Sequence, residues 1–436
     1  MTKYLDLTVL LDCFGQLHHQ IGSFEWWESI GSCDMPLIKT QDNGESLVVF
    51  VWQDPQGNEK TSSTASVVLA VNSLTDHHSW EPECLNRVVG TDVWFGQLTV
   101  NSKWRGSYSF IPLPANQLPE FVKKQGDGTR EAQRAWWLEV VANQIPDVLN
   151  KSPILTSGWG ESSALHLPHA PEEEGWKEWD QGALPLLSVD QIQSIHWHSF
   201  ILNNQRDCQL FSTAKGDASL VILLDGQKWG ANSGTLSVLQ YLTAMNKIAP
   251  AHYLLVPCID GQTRWKELSC HRPFWQALID ELLPKIKIEL AKSNHTVSDF
   301  VVTGQSLGGL SSLYAGLHFP EYFSKVISLS GSFWWPEVDR MQSPKSTELS
   351  QVTLVPNSLA EQIQNNLVDV QHLHAFLTVG SGEKDMCLYN DMTYQAIKEK
   401  GGNVYYETVF GGHDWLSWRS SLTNGLMHLL PAQHQI

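Results

Sequence analysis

Ser306 stands in Gly304-Gln305-Ser306-Leu307-Gly308, a G-x-S-x-G spacing. Before it runs Phe300-Val301-Val302, apolar and β-branched, which predicts a buried strand; after it Leu307, Leu310, Leu313, Tyr314 and Leu317 recur at helical spacing. A strand that turns straight into a helix through a serine strains the serine backbone and holds its hydroxyl clear of the sheet. Neighbours are forced close on such a turn, which favours residues without a Cβ. The hydroxyl then lies at the positive end of the helix, where a developing oxyanion is stabilised. The chemistry suited to that arrangement is nucleophilic attack on an acyl carbon. An incidental serine in a glycine-rich turn would need neither the strand before it nor the helix after it.

A serine hydroxyl also needs a base, and the base needs an orienting partner. Where the nucleophile sits on a strand–helix turn of an α/β-hydrolase, the chain order is serine, acid, histidine. Of 17 histidines, His413 in "VFGGHDWLSW" (409–418) fits by order and by its place after an expected strand and two glycines. The acid is expected after the preceding strand, in "TVGSGEKDMCLYN" (378–390), where Glu383 and Asp385 both qualify. Asp414 is poorly placed to reach the ring of its own neighbour and reads as a surface or supporting acid. For the oxyanion, the backbone N–H of Leu307 is one expected donor. The loop "LLDGQKW" (223–229) offers the other, from Gly226 or Gln227, although an ordinary turn after a buried strand would look the same.

Other groups carry weaker signals. "HWH" (196–198) and "HLH" (372–374) each put two histidines on one face of a strand; without a third ligand at recognisable spacing they read as structural, and no protein-bound metal is expected. Trp334 and Trp335, in "SFWWPEVDR" just beyond a strand's carboxyl end, suit either a core or stacking on a flat aromatic substrate. Arg264, Lys266 and Arg272, in "RWKELSCHRPFW", gather basic charge in an acidic chain and suggest an anionic ligand, the alternative being a solvated face.

These residues need a scaffold, and the periodicity supplies two. Residues 1–150 hold short strands at 46–57, 66–74, 91–100 and 106–113 with turn signals between them, which predicts an all-β sandwich domain. Residues 151–194, rich in proline, glycine and acidic side chains, are expected to be a linker, with Trp159, Trp176 and Trp179 packing on something. From 195 to 436 strands at 219–226, 252–260, 299–304, 325–332, 374–383 and 404–412 alternate with helical runs such as 274–292 and 389–400. That alternation predicts an α/β-hydrolase-type, doubly wound, mostly parallel sheet with functional groups at the carboxyl ends of its strands.

Composition narrows the function. The chain has 436 residues, long for one domain, with 42% hydrophobic residues and 19 tryptophans, ample for large cores. Against 46 acidic residues stand 29 Lys and Arg, a formal charge of −17, which argues against nucleic acid and against an anionic membrane surface. Asp6 and Asp12 interrupt the apolar opening residues, so no clean signal-peptide core is present, and no apolar run is long enough to cross a bilayer. Seven cysteines without C-x-x-C spacing read as reduced thiols, and a cytosolic location is expected.

Taken in order, "WQDPQG", "TDVW", "WRGSYSFIP", "LLDGQKW", "KELSCHRPFW", "GQSLGGLSSLYAGLHFPE", "LSGSFWWP" and "GGHDWLSW" resemble the enterochelin (enterobactin) esterases from about residue 45 to about 425. The resemblance implies an N-terminal sandwich and an esterase domain, with the nucleophile on Ser306, the base on His413 and the family's glutamate on Glu383. It implies as partner a ferric catecholate siderophore, a macrocyclic trilactone of catechol-acylated serine bound with its iron. Arg264, Lys266 and Arg272 would neutralise catecholate oxygens, Trp334 and Trp335 would face catechol rings, and Arg105 would reach the substrate from the N-terminal domain. Iron would arrive with the substrate, so no cofactor is expected. His271 stands where the family usually carries asparagine. Two other readings are a carboxylesterase of the feruloyl type and a non-catalytic siderophore-binding module.

Overall fold

The β-branched runs do become strands. The structure, a computed structural model, describes residues 20–77, 82–118, 130–157, 160–337 and 354–432. Among them the chain divides into two compact units: one runs to Pro171 and takes in Phe410–Ser417, and the other holds the rest from Glu172 onward.

The first unit contains two four-stranded antiparallel sheets. One has the order β1-β2-β5-β4, from β1 (Leu37–Thr40), β2 (Glu45–Gln53), β4 (Asn86–Arg87) and β5 (Val93–Asn101). The other has the order β3-β6-β8-β7, from β3 (Thr64–Val71), β6 (Arg105–Pro114), β7 (Leu155–Ser157) and β8 (Gly160–His166). Alternation along the strands turns Val48, Phe50 and Trp94 of one sheet and Leu69, Tyr108 and Phe110 of the other into a shared core, so the sheets pack face to face. The four strands expected here are β2, β3, β5 and β6.

The stretch 151–194, expected as a linker, is more ordered than that. Its first part supplies β7 and β8, the latter pairing with β6 from Arg105↔His166 to Tyr108↔Ser163. Its second part carries the helix Trp176–Asp180, fastened to the C-terminal helix Trp415–Leu429. Arg419, almost wholly buried, donates to Glu173 at 2.7 Å and Asp180 at 2.6 Å, while Trp176 Nε1 donates to the Arg419 carbonyl. Two of the acidic residues that gave this stretch the look of a solvated connection, Glu173 and Asp180, are partners for one buried guanidinium, while Glu172 and Glu174 pair with Lys177 and Lys247.

The second unit is built on an eight-stranded mixed sheet of order β16-β15-β14-β13-β11-β12-β10-β9. Six strands run parallel: β11 (Asp217–Leu224), β12 (Ala251–Val256), β13 (Thr296–Gln305), β14 (Lys325–Leu329), β15 (His374–Gly380) and β16 (Asn403–Val409). β9 (Gln193–Ser199) and β10 (Asn204–Ser212) add an antiparallel edge that the sequence reading did not foresee. The central strands are apolar on both faces because helices cover both, and Leu220 to Leu224 are fully buried. The helical run 274–292 is broken: Arg272–Ala277 and Leu283–Ala291 flank a π-helical turn at Leu278–Leu282, beside Pro284, which lacks an N–H. No helix among the described residues is long and apolar enough to cross a membrane.

Candidate active site

β13 runs through Gln305 into the helix Leu307–His318, with Ser306 at the joint. Its φ of 58° and ψ of −119° are strained for a residue with a Cβ, as the sequence spacing predicts. The joint is held by three backbone bonds: Ser306 N–H to the Leu329 carbonyl, and the N–H groups of Leu310 and Ser332 to the Ser306 carbonyl. A Cβ on Gly304 would lie 2.7–2.9 Å from the backbone of Gly308, so that glycine is required. Gly308 differs: a Cβ there would meet only ordinary contacts at 3.6 Å, and the expectation that both glycines need their missing Cβ holds for Gly304 alone. The half-buried Ser306 hydroxyl lies 3.3 Å from Ser332 Oγ.

Beyond β14 the chain turns through Ser330, itself at φ 49°, toward β15. Glu383, almost fully buried after β15, accepts on Oε1 from Ser330 Oγ at 2.5 Å and from the Gly380 N–H at 2.7 Å. Trp418 Nε1 donates in turn to Ser330 Oγ at 3.0 Å. Asp385, the other candidate, is exposed at the first position of the helix Asp385–Glu399, where a carboxylate favours the helix dipole. Beside Glu383, burial pushes the Cys387 thiol up to about 11, and the neighbouring carboxylates add to this.

The loop after β11 meets the serine turn through shared side chains. Asp225 sits in the left-handed region at φ 53°, and Gly226 and Gln227 begin the short helix Gly226–Trp229. The first N–H groups of a helix have no partner within it, and this holds for Gly226, Gln227 and Leu307 alike. A Cβ on Gly226 would strike the backbone of Leu255 and Val256 at 2.5 Å, so that loop requires glycine. Gln305 joins the two loops, accepting from Trp229 Nε1 at 3.1 Å and donating to Asp225 at 3.3 Å. The Gln227 side chain is turned to Cys258, whose N–H donates to it at 3.0 Å.

Among the basic residues expected to meet an anion, Arg264 is committed to the buried Asp225 carboxylate through two bonds of 2.8 and 2.7 Å. Lys266 is exposed two positions further along the helix Gly261–Leu268. Arg272 departs from expectation. Its guanidinium stacks 4.8 Å above Phe319, at the end of the serine helix away from Ser306. That helix has 12 residues, about 18 Å at 1.5 Å per residue, so Arg272 stands apart from the nucleophile. Sequence adjacency to Arg264 misleads because the chain changes direction between the two helices.

Trp334 and Trp335 follow two and three residues after Ser332, whose Oγ lies 3.3 Å from that of Ser306. Trp334 is buried and Trp335 half-buried, and both rings meet Trp265, at 6.0 and 5.6 Å between centroids. Trp265 is 40% exposed and presents the cluster to solvent. The sequence reading passed over Trp265, although it lies next to Arg264, and it passed over Ser330, Ser332 and Trp418. Two serines in "LSGS" at a strand's carboxyl end were the available signal.

His413 and Arg105 belong to the first unit. The His413 N–H donates to Ser73 Oγ at 3.0 Å, and its carbonyl accepts from Asn72 Nδ2 at 3.2 Å. Asp414 is buried and accepts from the N–H groups of Ser107 and Leu416; burial raises its carboxyl above the ordinary range despite those bonds. Arg105 Nε donates to His166 Nδ1 at 3.1 Å, and its Nη2 to the Pro171 carbonyl. The paired histidines are engaged locally: His196 with Asp207, His198 edge-on to Phe200, His372 with the Gly316 carbonyl, His374 with Asn403. Among the described residues no group of three His, Cys, Asp or Glu side chains is arranged to hold a metal ion.

With that geometry, the likeness to known proteins is informative. Residues 47–176 match the family described as "Enterochelin esterase, N-terminal", and residues 199–429 match "Putative esterase". An iron(III) enterobactin esterase of Dickeya dadantii is 37% identical over 416 residues, covering 94% of both chains. The chain belongs to the enterochelin esterase family. A ferric enterobactin esterase from Salmonella typhimurium, 33% identical, superposes with a TM-score of 0.81 over 93% of this chain and 98% of that one. The enterobactin esterase of Shigella flexneri, crystallised in the presence of enterobactin, gives 0.78 at 33% identity over 94% and 99%. Members of this family thus share both the β-rich N-terminal part and the mixed-sheet esterase part.

Proposed function

We propose that the chain is a serine carboxylic ester hydrolase of α/β-hydrolase type that opens the trilactone of ferric enterobactin. The observation that carries the reading is Ser306, held in strained backbone between β13 and its helix in a chain of this family. Ser306 Oγ attacks an ester carbonyl of the siderophore while His413 takes its proton. The tetrahedral oxyanion is met by the N–H of Leu307 and that of Gly226 or Gln227. His413 then gives the proton to the departing seryl oxygen, leaving an acyl-enzyme. A water, deprotonated by His413, attacks that ester and releases Ser306. Glu383, buried and hydrogen-bonded after β15, is the acid that supports the imidazolium; Asp385 lacks such seating.

The three tryptophans and Lys266 suit a flat, anionic aromatic ligand such as a catecholate, with Trp265 the exposed contact. Arg264 acts on the oxyanion loop through Asp225. Iron enters and leaves with the substrate, and this chemistry calls for no resident metal, nucleic acid or membrane. Opening the macrocycle weakens chelation and favours iron reduction and release, a step suited to the cytoplasm.

The test is to incubate the protein with iron-loaded and iron-free enterobactin and follow products by mass spectrometry, with Ser306→Ala beside it. Linear trimer, dimer or monomer from wild type alone supports the esterase. An intact macrocycle despite tight binding overturns it for this ligand and points to another phenolic ester or a binding role.

A further inference from the structure

We propose that Asn72 and Ser73, in the turn after β3 of the N-terminal sandwich, are positioning residues for His413. The inference rests on the reading of His413 as the base. Both peptide groups of that histidine are held by side chains of the turn. Its N–H donates to Ser73 Oγ at 3.0 Å, Ser73 Oγ donates to Asn72 Oδ1 at 2.9 Å, and Asn72 Nδ2 donates to the His413 carbonyl at 3.2 Å. The three bonds close a ring, so each donor and acceptor fixes the next.

The turn is built to present those side chains. Ser73 is buried in the left-handed region at φ 59°, and its own N–H is taken by Asp76 Oδ2 at 3.0 Å. Thr75 Oγ1 satisfies the Leu69 carbonyl and the Val71 N–H, so these bonds of the turn do not draw on the side chains of Asn72 or Ser73. The histidine's neighbours are held against the same surface. Gly412 has no room for a Cβ, which would lie 2.5 Å from Ser73 Oγ, and Asp414 is bonded to Ser107, whose carbonyl accepts from the Asn72 N–H. With its backbone fixed on both sides, the Cα–Cβ direction from which the imidazole projects is set. Displacements of about 1 Å at a catalytic group can cost about a hundredfold in rate.

The test uses the full chain with ferric enterobactin and, separately, a fluorophosphonate that reads Ser306–His413 reactivity without any siderophore. Ser73→Ala removes one oxygen, and Asn72→Ala removes the donor to the His413 carbonyl. Each is expected to lower kcat about tenfold with KM changed less than about twofold, and to slow phosphonylation by the same factor. In a His413→Ala background the same substitutions should cost nothing further, because the group they position is gone. Unchanged kcat in folded variants, or an equal fall in the His413→Ala background, would overturn the assignment. Should one variant fail to fold, the other carries the test. A His413→Ala protein with wild-type turnover would instead remove the base reading itself.

Discussion

Ser330 Oγ donates to Glu383 Oε1 at 2.5 Å while accepting from Trp418 Nε1, so a buried carboxylate after one strand is held by the turn that follows its neighbour. This seating separates Glu383 from Asp385, two residues away and exposed at a helix start. Glu383→Gln should lower kcat by about a hundredfold or more, as loss of a triad acid does, with Asp385→Asn close to wild type. Steady-state turnover of ferric enterobactin by the two variants decides it; the reverse order of effects would move the acid to Asp385.

The two glycines flanking Ser306 should behave differently on substitution. Alanine at 304 drives a methyl into the Gly308 backbone at 2.7–2.9 Å, and strain of this kind costs about 1–3 kcal/mol. Alanine at 308 meets only ordinary contacts and gains helix propensity, a benefit of up to about 1 kcal/mol. Urea unfolding of both variants should show a lower midpoint for Gly304→Ala and an equal or higher one for Gly308→Ala.

Arg264 is expected to matter for stability before it matters for binding. Its removal leaves the Asp225 carboxylate, only 2% exposed, without its two charged donors. Loss of a buried partner costs about 1–3 kcal/mol, so Arg264→Met should unfold at lower denaturant, and adding Asp225→Asn should recover part of the loss. A variant of native stability with only a raised KM would show that the arginine serves the substrate instead.

What the sequence made legible followed from local rules. The strand–serine–helix turn is written in a run of about twenty residues, and the five inner parallel strands announce themselves as short apolar runs because their central residues are buried, whereas β16 lies at the sheet edge with no buried residue. The sandwich strands β2, β3, β5 and β6 were visible as short runs between turn signals, whereas β7 and β8 hid in a stretch rich in proline, glycine and acid. Nothing local tells that Glu173 and Asp180 await Arg419, some 240 residues on. Charge gave the same kind of difficulty: Arg264 and Arg272 are eight positions apart, yet one is spent on Asp225 and the other on Phe319. The seats of Glu383 and His413 depend on side chains distant in the chain, so their identity was readable and their support was not.

His271 offers a gain. It precedes the helix Arg272–Ala277 as its N-cap, yet its side chain makes no capping bond, and its Nδ1 is buried without a hydrogen-bond partner among the described residues. An asparagine side chain there can share the N–H of Phe274, which already donates to the His271 carbonyl at 3.1 Å, since Pro273 has none to give. His271→Asn should therefore raise stability by about 0.5–2 kcal/mol, read as a shift in the thermal or urea midpoint with activity unchanged. A lower midpoint would mean that the imidazole packs better than the cap bonds.

The buried His252 should give the protein an acid-side instability that one substitution reduces. Its ring is fully buried at the start of β12, stacks on His295 at 5.3 Å between centroids, and is bonded through Nδ1 to Ser212 Oγ. Burial, and then the neighbouring His295, push its pKa below the ordinary histidine value, against smaller opposing effects from the backbone at Gly216 and Thr296 and then from Asp217. A base whose pKa is depressed in the folded state is bound by a proton first in the unfolded chain. Above about pH 6.5 neither state is protonated there, and this histidine contributes no pH dependence. As pH falls below that value the unfolded chain takes up a proton that the native fold refuses, so stability declines until the folded pKa is passed. His252→Phe keeps a flat ring against His295 and cannot titrate. Urea midpoints at pH 7.5 and pH 5.5 should therefore differ less in the variant than in wild type. An equal difference in both proteins would assign the acid sensitivity to other groups, of which His318 and His271, also depressed by burial, are the next to replace.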